Sequence, residues 1–217
     1  MNILKRKLAN LAEYLHPEHV KGVARGESRE KLKSIRQGLR PKPAEHLVKQ
    51  ATVRGYAKQF DCPVLVETGT FRGHMIAAML ESFDEIHSIE LSEELFGKAK
   101  QRFADHRHVH LHRGDSGEVL PKLLTKINRP VLFWLDAHAS GGETATGTID
   151  TPIVAELEEI LRHPVKSHVI LIDDAREFGV GKHYPAINRL KKMMAGTYPV
   201  FEVKDDIVRI TTGPYRG

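Results

Sequence analysis

From residue 62 onward the apolar positions of this chain alternate between two rhythms. Short runs of strand length are followed by stretches in which apolar residues recur at helical spacing. The runs predict strands at 64–67, 85–90, 109–113, 131–136 and 168–173, and the stretches predict helices at about 74–83, 93–103, 117–126, 152–161 and 185–194. Such alternation builds a parallel sheet with crossover helices. Ser92 precedes Glu93 and Glu94 as a helix cap with acids in the first turn, and Pro152 suits a first helical position. The ending differs in kind, because 200–204 and 207–211 flank Asp205-Asp206 and read as an antiparallel hairpin.

Upstream the rhythm is looser. Ile3, Leu4, Leu8, Leu11, Ala12 and Leu15 mark a helix over 2–16 that Pro17 stops. Residues 20–38 are polar and weakly periodic, with Ser28 placed to cap a short helix reaching Ile35. Pro41 and Pro43 punctuate a linker, and 44–60 reads as an amphipathic helix leading into the main domain. The expected division is a helical extension over 1–58 and an α/β domain over 59–217.

Charge sharpens that division. Residues 1–58 hold 14 Lys/Arg against 5 Asp/Glu, a net of +9, whereas the remainder holds 19 against 23, a net of −4. A basic arm suits nucleic acid, an anionic surface or an acidic substrate, and equally the solvated faces of ordinary helices. The length of 217 residues accommodates one well-cored domain with an appendage. No apolar run approaches the ~20 residues of a membrane span, so no transmembrane segment is expected. The N-terminus lacks the apolar core of a secretory signal. The single cysteine, Cys62, has no internal disulfide partner, which fits a cytoplasmic protein, and it reads as a small hydrophobe.

The densest signal is V-L-V-E-T-G-T-F-R-G, 64–73. A strand reaches Glu67, turns through Gly69, Thr70 and Gly73, and enters a helix, so a nucleotide-like ligand can approach bare backbone. The spacing is E-x-G-x-x-x-G, without the close first glycine pair of a dinucleotide fingerprint. Further polar residues stand where strands end, which is where an open α/β sheet binds ligands. Glu90 closes the second strand, placed to accept the hydroxyls of a ribose. Asp115 and Ser116 follow the third in R-G-D-S, where an aspartate also serves as a helix cap. The fourth ends W-L-D-A-H, with Asp136 and His138, and the fifth ends L-I-D-D-A, with Asp173 and Asp174. If the fourth and fifth strands are neighbours, their three carboxylates converge and repel unless a cation lies between them, and Mg²⁺ takes an oxygen set of this kind.

The glycine loop resembles motif I of the class I S-adenosylmethionine (SAM) dependent methyltransferases, and the parallel sheet closed by a reversed strand is similar to theirs. The resemblance spans about 62–212. It implies a Rossmann-like seven-stranded sheet with the last strand antiparallel, here preceded by the N-terminal helical extension. It implies SAM contacts from Glu67, Gly69, Thr70, Gly73 and Glu90, with Asp115 on the adenine amino group and Ser116 assisting. The strand-end acids resemble those of the metal-dependent macrocin and macrolide (sugar) O-methyltransferases. That likeness implies Mg²⁺ or a similar divalent cation on Asp136, Asp173 and Asp174, with His138 as general base and Asp136 beside it in the catalytic set.

The acceptor expected from this pattern is a small or glycan-like hydroxylated molecule. Residues 137–151, glycine-rich and carrying Thr and Ser hydroxyls, read as a lid or as a plain surface loop. Other readings stay open. An RNA methyltransferase could use the basic arm, although the arm offers only Tyr14 and Tyr56 for stacking and no N-P-P-Y-type motif follows the fourth strand. A scaffold module could keep the fold without the chemistry, and the N-terminal helices could build a homo-oligomer. A nicotinamide enzyme is disfavoured by the glycine spacing. The manganese ureohydrolases are excluded because D-A-H-A-S lacks the second acid of D-A-H-x-D.

Overall fold

The structure is a computed structural model and describes residues 45–136, 152–180 and 184–214. These residues belong to one unit, Pro43–Gly217. Its seven strands are β1 (Val64–Thr68), β2 (Glu85–Glu90), β3 (Val109–Arg113), β4 (Val131–Leu135), β5 (Val169–Ile172), β6 (Val200–Lys204) and β7 (Ile207–Thr211). They lie in the order β3-β2-β1-β4-β5-β7-β6. The pairings from β3 to β5 are parallel, and β7 runs antiparallel to both β5 and β6. This is the expected seven-stranded α/β sheet with its last strand reversed.

The helices are α1 (His46–Gln59), α2 (His74–Met79), α3 (Glu93–Arg102), α4 (Ser116–Leu124), α5 (Ile153–Arg162) and α6 (Ile187–Met194). The pleat of β4 sorts them into two layers. Val131, Phe133 and Leu135 pack with Leu120 of α4, Leu157 of α5 and Leu190 of α6. Leu132 and Trp134 face the other way, onto Val53 of α1, Ile76 of α2 and Phe103 just beyond α3. Both faces being covered explains why β1, β4 and β5 are buried at every position, with β4 and β5 apolar throughout. Helix α1, read from sequence with the N-terminal extension, inserts Val53, Tyr56 and Ala57 into this second layer.

The closing turn behaves as its residues dictate. Asp205 and Asp206 both take positive φ, 52° and 60°, as a two-residue hairpin turn requires, and aspartate tolerates that region better than most residues. Several helix ends differ from the periodicity. Helix α2 stops at Met79, where the Ser82 N–H turns back to the Met79 carbonyl and Asp84 joins the sheet through the Pro63 carbonyl. Pro152 is the N-cap of α5, one position before the first helical residue. Cys62 is a buried free thiol, pushed up to about 12 chiefly by burial. Among the described residues no helix is long and apolar enough to cross a membrane. The expected helices over 2–16 and 28–35, and the N-terminal surface for self-association, lie outside the described residues.

Candidate active site

The switch in strand order between β1 and β4 opens a crevice at their carboxyl ends, and the glycine loop lines it. Gly69 has φ +85°, and a Cβ there would meet the Asp136 Cβ at 3.2 Å, so glycine brings the loop against the end of β4. Gly73 has φ +68°, and a Cβ there would lie 2.6 Å from the Phe103 ring. The loop is pinned through backbone: Gly69 N–H donates to the Ile89 carbonyl at 2.9 Å and Gly73 N–H to the Thr70 carbonyl at 2.8 Å.

Beneath the loop runs a buried hydroxyl chain. Ser88 donates to Oε2 of Glu67 at 2.6 Å, which leaves Thr70 to donate to Ser88, also at 2.6 Å. Burial raises the Glu67 carboxyl to about 8; the Ser88 bond opposes this, while the charges of Asp136 and Glu90 add to it. Glu67 therefore holds a proton through neutral pH directly under the turn.

Glu90 is buried at the end of β2 and accepts two backbone N–H groups, Phe71 on Oε2 and Ser92 on Oε1, each at 2.8 Å. These occupy two of the roughly four lone-pair sites of a carboxylate and leave one on each oxygen for a diol. Phe71 and Leu91 flank it, 57% and 52% exposed, and offer apolar faces beside it.

Asp115 is the N-cap of α4, accepting the Gly117 N–H at 2.8 Å, and Ser116 opens that helix. Behind them lies a residue the sequence reading passed over. Glu156 of α5 is 1% exposed. Burial raises its carboxyl to about 7; the Ser116 and Thr68 hydroxyls pull it down, and the charges of Asp115 and Asp136 push it further up. Its Oε1 and the Thr68 hydroxyl close no hydrogen bond of full geometry. Glu156 thus connects the Asp115 side of the crevice to the Asp136 side. The signal was its position in the helix, on the same stripe as the buried Ile153, Leu157 and Ile160.

On the far side, Asp136, Asp173 and Asp174 each offer an oxygen, and these three oxygens lie within 4.8 Å of one another. The strands place them: Asp136 N–H donates to the Thr68 carbonyl at 3.2 Å and Asp173 N–H to the Leu135 carbonyl at 2.9 Å. Asp174 takes φ +55° and is held by Arg176, whose Nη1 lies 2.5 Å from Oδ1 and also contacts Asp206. Burial and the Asp174 charge raise Asp173 to about 6, against the pull of Lys49. Lys49, also passed over in sequence, reaches in from α1, with Nζ 2.6 Å from Asp173 Oδ2 and 3.8 Å from Asp174 Oδ1. Three convergent carboxylate oxygens are a donor set that suits a hard divalent cation. His138 and the glycine-rich segment 137–151 lie outside the described residues.

No family model matches the chain, and no curated protein matches it. Solved structures do match in fold. An O-methyltransferase from Streptomyces achromogenes involved in tomaymycin synthesis, TomG in complex with SAM, is 16% identical with a TM-score of 0.58 over 86% of this chain and 92% of its own. An O-methyltransferase from Bacillus cereus in complex with SAH (S-adenosylhomocysteine) is 14% identical with a TM-score of 0.57, over 89% and 96%. The SAH-bound methyltransferase PaMTH1 of Podospora anserina is 18% identical with a TM-score of 0.53, over 76% and 78%. The fold is that of the class I methyltransferases.

Proposed function

We propose that this protein is a SAM-dependent O-methyltransferase that acts on a hydroxyl of a small or sugar-like acceptor with a divalent cation at the acceptor site. The observation that carries the reading is the meeting of two halves in one crevice: Gly69 of the cofactor-type loop packs against Asp136, which converges with Asp173 and Asp174.

In this reading Glu90 receives the ribose hydroxyls on its remaining lone pairs, with Leu91 and Phe71 as apolar neighbours of the adenosine. Gly69 and Gly73 let the methionine part lie on backbone, and Glu67 supports the loop through Ser88 and Thr70. Asp115 and Ser116 stand on the adenine side. Asp136, Asp173 and Asp174 would hold the cation, which would lower the pKa of an acceptor hydroxyl, and SAM would supply the electrophilic methyl group. His138, two residues beyond Asp136, takes the proton. The remaining contribution is positioning: rigid strand ends hold the donors so that the acceptor oxygen is presented in line.

The test is SAH release on incubation with SAM and a panel of polyhydroxylated acceptors, with Mg²⁺ or with EDTA. Product that requires Mg²⁺ and is lost in Asp136→Asn supports the reading. EDTA-insensitive turnover would remove the cation from it, and transfer to RNA but to no small acceptor would replace it.

A further inference from the structure

Helix α1 points a lysine into the candidate cation site. The buried side chains of α1 are Val53, Tyr56 and Ala57, and Lys49, four and seven residues before Val53 and Tyr56, lies on the same stripe. A lysine on a buried stripe ordinarily carries its ammonium out to water. This one does not: its side chain is 14% exposed, and its ammonium lies against Oδ2 of Asp173 and within reach of Oδ1 of Asp174, two of the three converging carboxylates.

We infer that the Lys49 ammonium and a divalent cation are mutually exclusive occupants of the Asp136–Asp173–Asp174 cluster, so that Lys49 sets how tightly metal is held. The inference rests on reading those carboxylates as a cation site. A divalent cation takes carboxylate oxygens at about 2.0–2.6 Å, and Nζ is already 2.6 Å from Oδ2 of Asp173. A dication and an ammonium sharing one oxygen would stand within about 5 Å of each other in a buried setting, where like charges repel strongly. The Arg176 guanidinium pairs with Oδ1 of Asp174 and with Asp206, whereas Lys49 pairs with Asp173. Without metal, Lys49 offsets part of the cluster's negative charge. With metal, its ammonium withdraws and α1 loses that tie to the end of β5.

The experiment titrates Mn²⁺ into the full chain and into Lys49→Met, with unbound Mn²⁺ counted by electron paramagnetic resonance. Melting curves and SAH titrations run in parallel report folding and the cofactor site separately from the metal. The expected result is Mn²⁺ affinity at least tenfold higher in Lys49→Met, together with a larger metal-induced rise in melting temperature. Equal or weaker affinity in a folded Lys49→Met overturns the inference. Absence of Mn²⁺ binding to either chain overturns it too, and retained SAH binding would then show that the cation reading alone had failed. If Lys49→Met does not fold, amidination of the unaltered chain decides. Mn²⁺ should raise the reaction rate of Lys49 several-fold against that of Lys58, and an unchanged ratio overturns the inference.

Discussion

The backbone N–H of Phe71 donates to Oε2 of Glu90 at 2.8 Å, tying the crest of the glycine loop to the carboxylate that ends β2. Phe71 takes φ +48°, a region that costs a bulky residue energy, so the loop keeps this shape only while something holds it. Glu90 therefore shapes the loop as well as facing the crevice. Glu90→Ala should weaken SAH binding at least tenfold and cost about 1–3 kcal/mol of stability, since it strips an acceptor from two backbone donors. Urea unfolding alongside calorimetry checks both. Unchanged stability would show that the loop does not depend on Glu90.

Gly73 admits no side chain. Its φ is +68° and an added Cβ would lie 2.6 Å from the Phe103 ring, so Gly73→Ala combines backbone strain with overpacking and should cost about 2–4 kcal/mol. Adding Phe103→Leu should recover part of the loss in thermal melts, because it removes the clash and leaves the strain. Full recovery would mean the positive φ costs nothing.

Stability should fall as pH rises across neutrality. The folded Glu67 carboxyl lies at about 8, above an ordinary 4.5, so ionisation costs the folded state more than the unfolded one. The stabilisation is complete below about 4.5 and is lost as pH climbs through about 8. Asp173 and Glu156, raised to about 6 and about 7, act in the same direction. Glu67→Gln removes one contribution, so its urea midpoint should decline less than that of the unaltered chain between pH 5 and pH 9. Parallel declines would place the titration elsewhere.

Glu156 should separate function from stability. An apolar residue suits its buried stripe better than a carboxyl that lacks a full hydrogen-bond set. Glu156→Leu should melt at the same or a higher temperature while methyl transfer drops at least tenfold. A variant that keeps full activity would make Glu156 a bystander.

The strands and the acids at their ends were legible in the sequence because both faces of the parallel sheet are covered. Strands such as Val131–Leu135 show as unbroken apolar runs that stop where the crevice begins. Asp205-Asp206 marked its own turn. What the sequence left ambiguous were residues with two local uses: Asp115 stood as either adenine contact or helix cap, and the structure shows it capping α4. Lys49 and Glu156 were invisible for another reason. A single charged residue on an amphipathic helix is assigned to the solvent side by default, and packing shows that the stripe position of these two carries them inward. The short α2 was overrun because Phe83 continues the helical spacing after the backbone has turned at Ser82.

Calorimetric titration of S-adenosylhomocysteine into the purified full chain tests whether the crevice between β1 and β4 binds the SAM scaffold. The expected result is one site with micromolar affinity, weakened at least tenfold in Glu90→Ala. No heat at millimolar SAH, from a protein that melts cooperatively, would show that the crevice is not a SAM site.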